Sequence, residues 1–182
     1  MSELDLYRDV QRYLNLSFLS SVRPQPPIAL PLVAITAQAG GPGSGKWSRP
    51  DLALVHLWRH TYSPSYSLEI YGFEVKTDPG CDLTGVHEAL AHTRSVHYSY
   101  LTWEYPSKNF DTKDFKIIFE NCEAYGIGLI SFSKDDAHSF QIHINSKRAE
   151  PDPALVDEFI DTRFDESQKQ RLLDFPQTDH RR

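Results

Sequence analysis

Residues 48–77 read SRPDLALVHLWRHTYSPSYSLEIYGFEVKT. Two apolar runs, Leu52 to Trp58 and Leu68 to Val75, flank a Ser/Pro/Tyr-rich segment around Ser63-Pro64-Ser65. This is the pattern of two strands joined by a turn. With the turn centred near Ser63 and Pro64, antiparallel pairing sets Asp51 opposite Lys76. Glu74 lies one same-face step from Lys76, because strand side chains alternate with period two. Cross-strand neighbours have Cβ atoms roughly 5 Å apart. Asp51, Glu74 and Lys76 are therefore expected to converge at one end of the hairpin, two carboxylates beside an ammonium.

Upstream of the hairpin, Ser2 to about Leu16 reads as a helix. Ser2 is its cap with Asp5 three residues on, and Leu4, Tyr7, Val10 and Leu14 recur at helical spacing. Glu3 falls in the first turn, where a carboxylate favours the positive end of the helix dipole. A proline-rich stretch from Ser20 to Pro31 precedes a strand over Ile28 to Thr36. The run from Gly40 to Gly45-Lys46 has the spacing of a phosphate-binding loop, but Trp47 stands where Ser or Thr should bind magnesium. No helix follows to present its amides, so the run reads as a turn between strands.

Downstream, a loop from Asp78 to Thr84 leads into a helix over about Gly85 to Val96, and Tyr98 to Tyr105 reads as a strand. Phe115 to Tyr125 is a helix ended by Gly126. Ile127 to Phe132 is a short apolar strand of the buried kind, and Phe140 to Ile144 is an edge strand. Asp152-Pro153 opens a helix running to Phe164, and Asp165 caps another ending near Phe175. Strands alternating with helices argue for α/β packing around a partly parallel sheet. We expect one domain over residues 1–175, with a core over 1–145, a helical extension over 152–175 and a frayed tail over 176–182.

The 182-residue chain contains two cysteines, Cys81 and Cys122. Neither a disulfide framework nor a CxxC zinc pair is available, which suits a reduced, cytoplasmic setting. No apolar run approaches the roughly 20 residues of a membrane helix, and MSELDLYRDV lacks the basic-then-apolar pattern of a signal peptide. The net charge of −6 argues against a protein that coats DNA indiscriminately, while leaving room for a local basic groove.

Pro50-Asp51 followed by Glu74-Val75-Lys76 at the end of the next strand resembles the signature of the PD-(D/E)xK nuclease superfamily. The order helix, strand, hairpin, helix, strand, helix, strand is similar to that superfamily's restriction-endonuclease-like αβββαβ core, a central mixed sheet flanked by helices, over residues 1–145. The C-terminal helices lie outside it. The resemblance implies magnesium-dependent hydrolysis of DNA phosphodiesters, with manganese as a substitute. Asp51 and Glu74 are the implied metal ligands, the Val75 carbonyl a third, and Glu3 a glutamate of the first helix leaning toward the metal. Lys76 is implied to be catalytic, either orienting the attacking water or stabilising the pentavalent phosphate. The chemistry suits these side chains, because magnesium takes oxygen ligands and keeps several waters. Lys46, Arg49, His92 and Arg94 are candidates to touch nucleic acid, DNA more readily than RNA. A nuclease of this size is expected to be a homodimer or a component of a restriction, repair or defence assembly.

Other clusters carry less. His87 and His92 are five residues apart, rotated by about 140° on a helix, and cannot grip one ion together. His56, His60, His97, His138 and His143 show no metal spacing and are assigned to core edges or surface. Glu69 has the opposite strand parity to Glu74 and is expected at the surface. Trp58, Tyr98, Tyr100, Trp103 and Tyr105 fit a core better than a base-stacking platform. The competing reading is a nuclease-fold binding or assembly module with weak or absent cleavage, favoured by the scarcity of basic residues.

Overall fold

The structure, a computed structural model, describes residues 2–37, 49–63, 65–107, 109–134, 136 and 138–178. A 3₁₀ turn, Glu3–Asp5, opens the chain, and the Asp5 carboxylate accepts from the Ser2 amide (3.0 Å) as the capping pattern requires. Helix α1 (Tyr7–Tyr13) continues through a π-helical turn, Leu14–Phe18, into α2 (Leu19–Val22). The helical segment thus runs past the expected end at Leu16. Its buried stripe is Leu6, Tyr7, Val10, Tyr13, Leu14 and Phe18, while Leu4 is exposed.

Strands β1 (Ala29–Ile35), β2 (Leu52–Arg59), β3 (Tyr66–Lys76), β4 (Tyr98–Glu104), β5 (Gly128–Phe132) and β6 (Gln141–Ile144) form one open six-stranded sheet in sequential order. The β3–β4 and β4–β5 pairs are parallel and the other three antiparallel. Parallel neighbours need crossovers, supplied by α3 (Leu83–His92) and α4 (Lys113–Tyr125). Asp82 caps α3, its side chain accepting from the Thr84 and Gly85 amides, and the helix starts two residues before the expected Gly85. Gly126 ends α4 with φ +72°, a left-handed backbone that favours glycine. A Cβ on Gly128 would lie 2.2 Å from the Tyr100 ring, so β5 can approach β4 only with glycine there.

Both faces of the sheet are covered. On one, Val10, Leu14 and Phe18 of the N-terminal helices pack on Leu54, Tyr71, Phe73 and Tyr100. On the other, α3 and α4 cover Leu101 and Leu129. Beside them α5 (Pro153–Arg163) and α6 (Glu166–Thr178) set Val156, Phe159 and Leu172 against Val55, Leu57 and Ile70. The C-terminal helices therefore pack on the sheet face, and α6 runs past the expected fraying point at residue 176.

The hairpin register differs from the expected one by two residues. Leu52 pairs with Phe73 and Arg59 with Tyr66, and the His60 amide donates to the Ser65 carbonyl (3.1 Å). The turn is thus centred one residue earlier, between Tyr62 and Ser63. The Asp51 amide donates to the Phe73 carbonyl (2.9 Å), which puts Asp51 beside Glu74 instead of opposite Lys76. A shift of two residues keeps every side chain on its face, so the convergence survives. No helix among the described residues is long and apolar enough to cross a membrane.

Candidate metal centre and its surroundings

Asp51 stands one residue before β2, held at both oxygens. The Tyr7 hydroxyl donates to Oδ1 (2.6 Å) and the Val75 amide to Oδ2 (2.9 Å). Tyr7 comes from α1, so the N-terminal helix orients this carboxylate at the head of β2. Burial pushes the Asp51 carboxyl up to about 6, and the neighbouring Glu74 charge pushes the same way; the two hydrogen bonds and Lys76 only partly offset them. Val75 itself is fully buried, facing the N-terminal helices.

Glu74 and Lys76 end β3 on the face covered by α3. Lys76 Nζ lies 2.6 Å from Glu74 Oε1, 2.8 Å from Glu88 Oε2 and 3.4 Å from Glu3 Oε1. Sequence reasoning missed Glu88, whose place in the α3 phase was legible but whose distance from β3 was not. Gly85 lets the helix lie against the lysine stem, its missing Cβ falling 3.3 Å from Lys76 Cγ and Cε. Glu74 is almost wholly buried, and burial pushes its carboxyl up to about 8, with the adjacent Glu88 adding to the rise against the pull of Lys76. Glu88 is moved the other way: burial opposes its charge, but the hydrogen bonds with Lys76 and Glu74 and the Lys76 charge together outweigh that and draw it below the usual carboxylate range. The pair is thus split, Glu74 retaining a proton more readily than its neighbour. Burial works against the Lys76 charge too, yet Glu74, Glu88 and Glu3 together hold its pKa above the ordinary lysine value.

His92 closes the cluster from α3, with Nε2 3.3 Å from Glu74 Oε2. It is 1% exposed, so it is a buried site residue and not the nucleic-acid contact expected of it. Burial holds its pKa down to about 4, against the pull of Asp51 and Glu88, which makes it a neutral imidazole at pH 7. His87 faces elsewhere, its ring 5.6 Å from that of Tyr125. Arg49 is half-buried two residues before Asp51, and Arg94 lines a cavity beyond the end of α3. Lys46 lies outside the described residues, as does the whole run from 40 to 46.

Glu69 is buried, not exposed as expected. Its carboxylate pairs with Arg23 and accepts from the Tyr71 (3.1 Å) and Tyr98 (3.4 Å) hydroxyls, with Arg148 Nε at 3.7 Å. Arg23 also stacks over Trp58, 4.3 Å from the ring centroid. His56 is wholly buried on Trp58, neither ring nitrogen hydrogen-bonded, and burial and the Arg23 charge hold its pKa down to about 4. Parity placed Glu69 on the correct face; the covering by α2 and the segment after it could not be read from the strand.

Among the described residues no group of three or more His, Cys, Asp or Glu is disposed to hold a metal ion. The donor set still fits a hard cation that keeps most of its water. Two carboxylates suffice for such an ion, and here two buried ones both have raised pKa values, Asp51 in part through its neighbour's charge. Burial is the main cause of both shifts, so a cation bound there would compete with protons.

No family model matches the chain, and no curated protein is similar to it. The chain is similar to a solved structure of a protein of unknown function from Silicibacter pomeroyi, at 14% identity over 100% of this chain and 95% of that one, with a TM-score of 0.48. At that score the likeness carries no argument. Fold and site together define a mixed α/β protein with a buried acidic centre around one lysine at the C-terminal end of the interior strand β3.

Proposed function

We propose that the protein is a magnesium-dependent nuclease of the PD-(D/E)xK kind, hydrolysing DNA phosphodiester bonds at the Asp51/Glu74/Lys76 centre. The observation that carries this reading is the meeting of Asp51 from the head of β2 with Glu74 and Lys76 from the end of β3, both carboxyls raised in pKa. The order of elements, which resembles the restriction-endonuclease-like arrangement, supports it. Asp51 and Glu74 would hold the ion, with the Val75 carbonyl and Glu3 as further ligands by the same resemblance. Such an ion supplies Lewis acidity toward the phosphate and lowers the pKa of water beside it. Glu74 must give up its proton to serve, and neutral His92 beside Oε2 steadies the anion that results. Tyr7 and the Val75 amide fix the direction of Asp51. Lys76, kept cationic by its three glutamates, is placed to orient water or to offset charge developing on the phosphate.

Incubation of supercoiled plasmid, single-stranded DNA and RNA with magnesium or manganese, and then with EDTA, tests the reading beside Lys76→Ala. The wild-type chain should cut DNA only with the ion, and Lys76→Ala should lose roughly 100-fold or more. Cleavage that persists in Lys76→Ala, or in EDTA, would discard the assignment.

One observation favours a second reading, a binding or assembly module. Lys76 already has three carboxylate neighbours, and Asp51 two donors, so the cluster is also a closed network. A chain that cuts nothing under any of these conditions would fit that module.

A further inference from the structure

With a net charge of −6, the chain is poorly provided for gripping nucleic acid through phosphates alone. A row of paired residues runs across the sheet from the acidic centre. Lys76 pairs with Trp103 and Trp103 with Ser131 in the parallel ladders, and Ser131 pairs with Gln141 of β6. Paired residues share a face, and neighbouring strands lie about 4.8 Å apart, so Ser131 stands two strands, about 10 Å, from Lys76. The row ends at a cavity of about 350 Å³ beyond the carboxyl ends of β4 and β5, lined by Tyr105, Phe110, Ser131, Asp136, Ser139 and Gln141 among others. Open α/β sheets hold ligands outside the carboxyl ends of their strands. The walls are fixed in advance. The Tyr105 hydroxyl lies 3.0 Å from the Asn109 carbonyl and 3.0 Å from Thr112 Oγ1, and the Phe110 ring packs 4.6 Å from that of His143. Ser131 is 3% exposed, with Oγ 2.7 Å from His143 Nε2. A hydroxyl has one donor and two acceptor sites, so that bond leaves Ser131 capacity for a ligand.

We propose that this cavity receives an unpaired nucleobase of the strand whose phosphodiester lies at the acidic centre, so that the substrate is single-stranded or locally opened DNA. The inference rests on the nuclease reading and adds the class of substrate to it. The lining selects a base over a phosphate: among the described residues no lysine or arginine contributes to it, and the Asp136 carboxylate repels an anion. An aromatic wall beside hydroxyl and amide groups suits a flat, uncharged ring with hydrogen-bonding edges. A base inside a duplex is covered on its faces and its pairing edge, and has to leave the stack before a pocket can take it.

The test is equilibrium binding by fluorescence anisotropy in calcium, a cation that takes oxygen ligands as magnesium does, with wild-type cleavage in magnesium measured in parallel. The fluorescein-labelled probes are a single-stranded oligodeoxynucleotide, its duplex, and an abasic strand of the same length. The wild type should bind the single strand roughly five-fold or more tighter than either of the others. Gln141 is exposed, so replacing it leaves the fold intact. Gln141→Ala and Ser131→Ala should each shrink that preference toward unity while affinity for the abasic strand stays the same, a split that misfolding cannot produce. Equal binding of the base-bearing and abasic strands, tighter binding of the duplex, or a preference untouched by both variants would overturn the proposal. A preference that responds as stated in a chain that cuts nothing supports the pocket and removes the nuclease reading alone.

Discussion

Glu88 Oε2 lies 2.8 Å from Lys76 Nζ, so the helix after the hairpin anchors the central lysine alongside Glu74 of the hairpin itself. Glu88 acts through Lys76 and Glu74 and is a positioning residue. Glu88→Gln should lower the cleavage rate by roughly ten-fold. It should also move the acid limb of the pH–rate profile to lower pH, because Glu74 loses the neighbour that helps raise its pKa. A slower enzyme with an unmoved profile would reduce Glu88 to packing.

Tyr7→Phe removes the hydroxyl that donates to Asp51 Oδ1 at 2.6 Å. Loss of a hydrogen bond to a carboxylate should cost about 1–2 kcal/mol of stability by urea denaturation. Manganese affinity should fall by roughly ten-fold or more, as expected when a ligand loses the group that orients it. Unchanged metal affinity would mean that Asp51 needs no help from α1.

Stability without metal should depend on pH in a defined direction. Asp51 and Glu74 bind protons more tightly in the folded state, with pKa values near 6 and 8. Their contribution is complete below the unfolded values and is lost as pH rises through about 6 and then about 8. His92, lowered to about 4, has the opposite sign: its contribution is present above the unfolded histidine value and is lost as pH falls toward 4. A divalent ion competes with the protons on the two carboxyls, so the gain in Tm on adding magnesium should grow from pH 5 to pH 8. A gain independent of pH would place the ion elsewhere.

Glu69→Gln separates stability from activity. Its ion pair with Arg23 is partly buried, with side-chain exposures of 11% and 25%, and removing the charge should cost about 2 kcal/mol, held to the low end by solvent reaching Arg23. The cluster lies five residues back along β3 from Glu74, roughly 16 Å away, so the cleavage rate at a temperature where the variant is folded should not change.

The sequence carried the sheet well because its strands are continuous apolar runs bounded by turns, and Leu52–Trp58 and Leu68–Val75 fall wholly within β2 and β3. The hairpin register was wrong by two residues, since serine, proline and tyrosine around position 63 are compatible with several turn centres. That error was harmless for Asp51 and Glu74 because an even shift preserves the face. Parity put Glu69 on the face opposite Glu74 but could not reveal that Arg23, Tyr71 and Tyr98 enclose it. Glu88, Tyr7 and His92 were illegible as partners of the site because helix-to-sheet distance depends on packing, set here by small residues such as Gly85 against Lys76.

Uptake of Mn²⁺, followed by loss of the free-ion electron paramagnetic resonance signal, tests the central claim most directly. The wild-type chain should bind the ion, and the isosteric variants Asp51→Asn and Glu74→Gln should each weaken binding by roughly ten-fold or more. No uptake by the wild type, or equal uptake by the wild type and both variants, would contradict a divalent cation held between these two carboxylates.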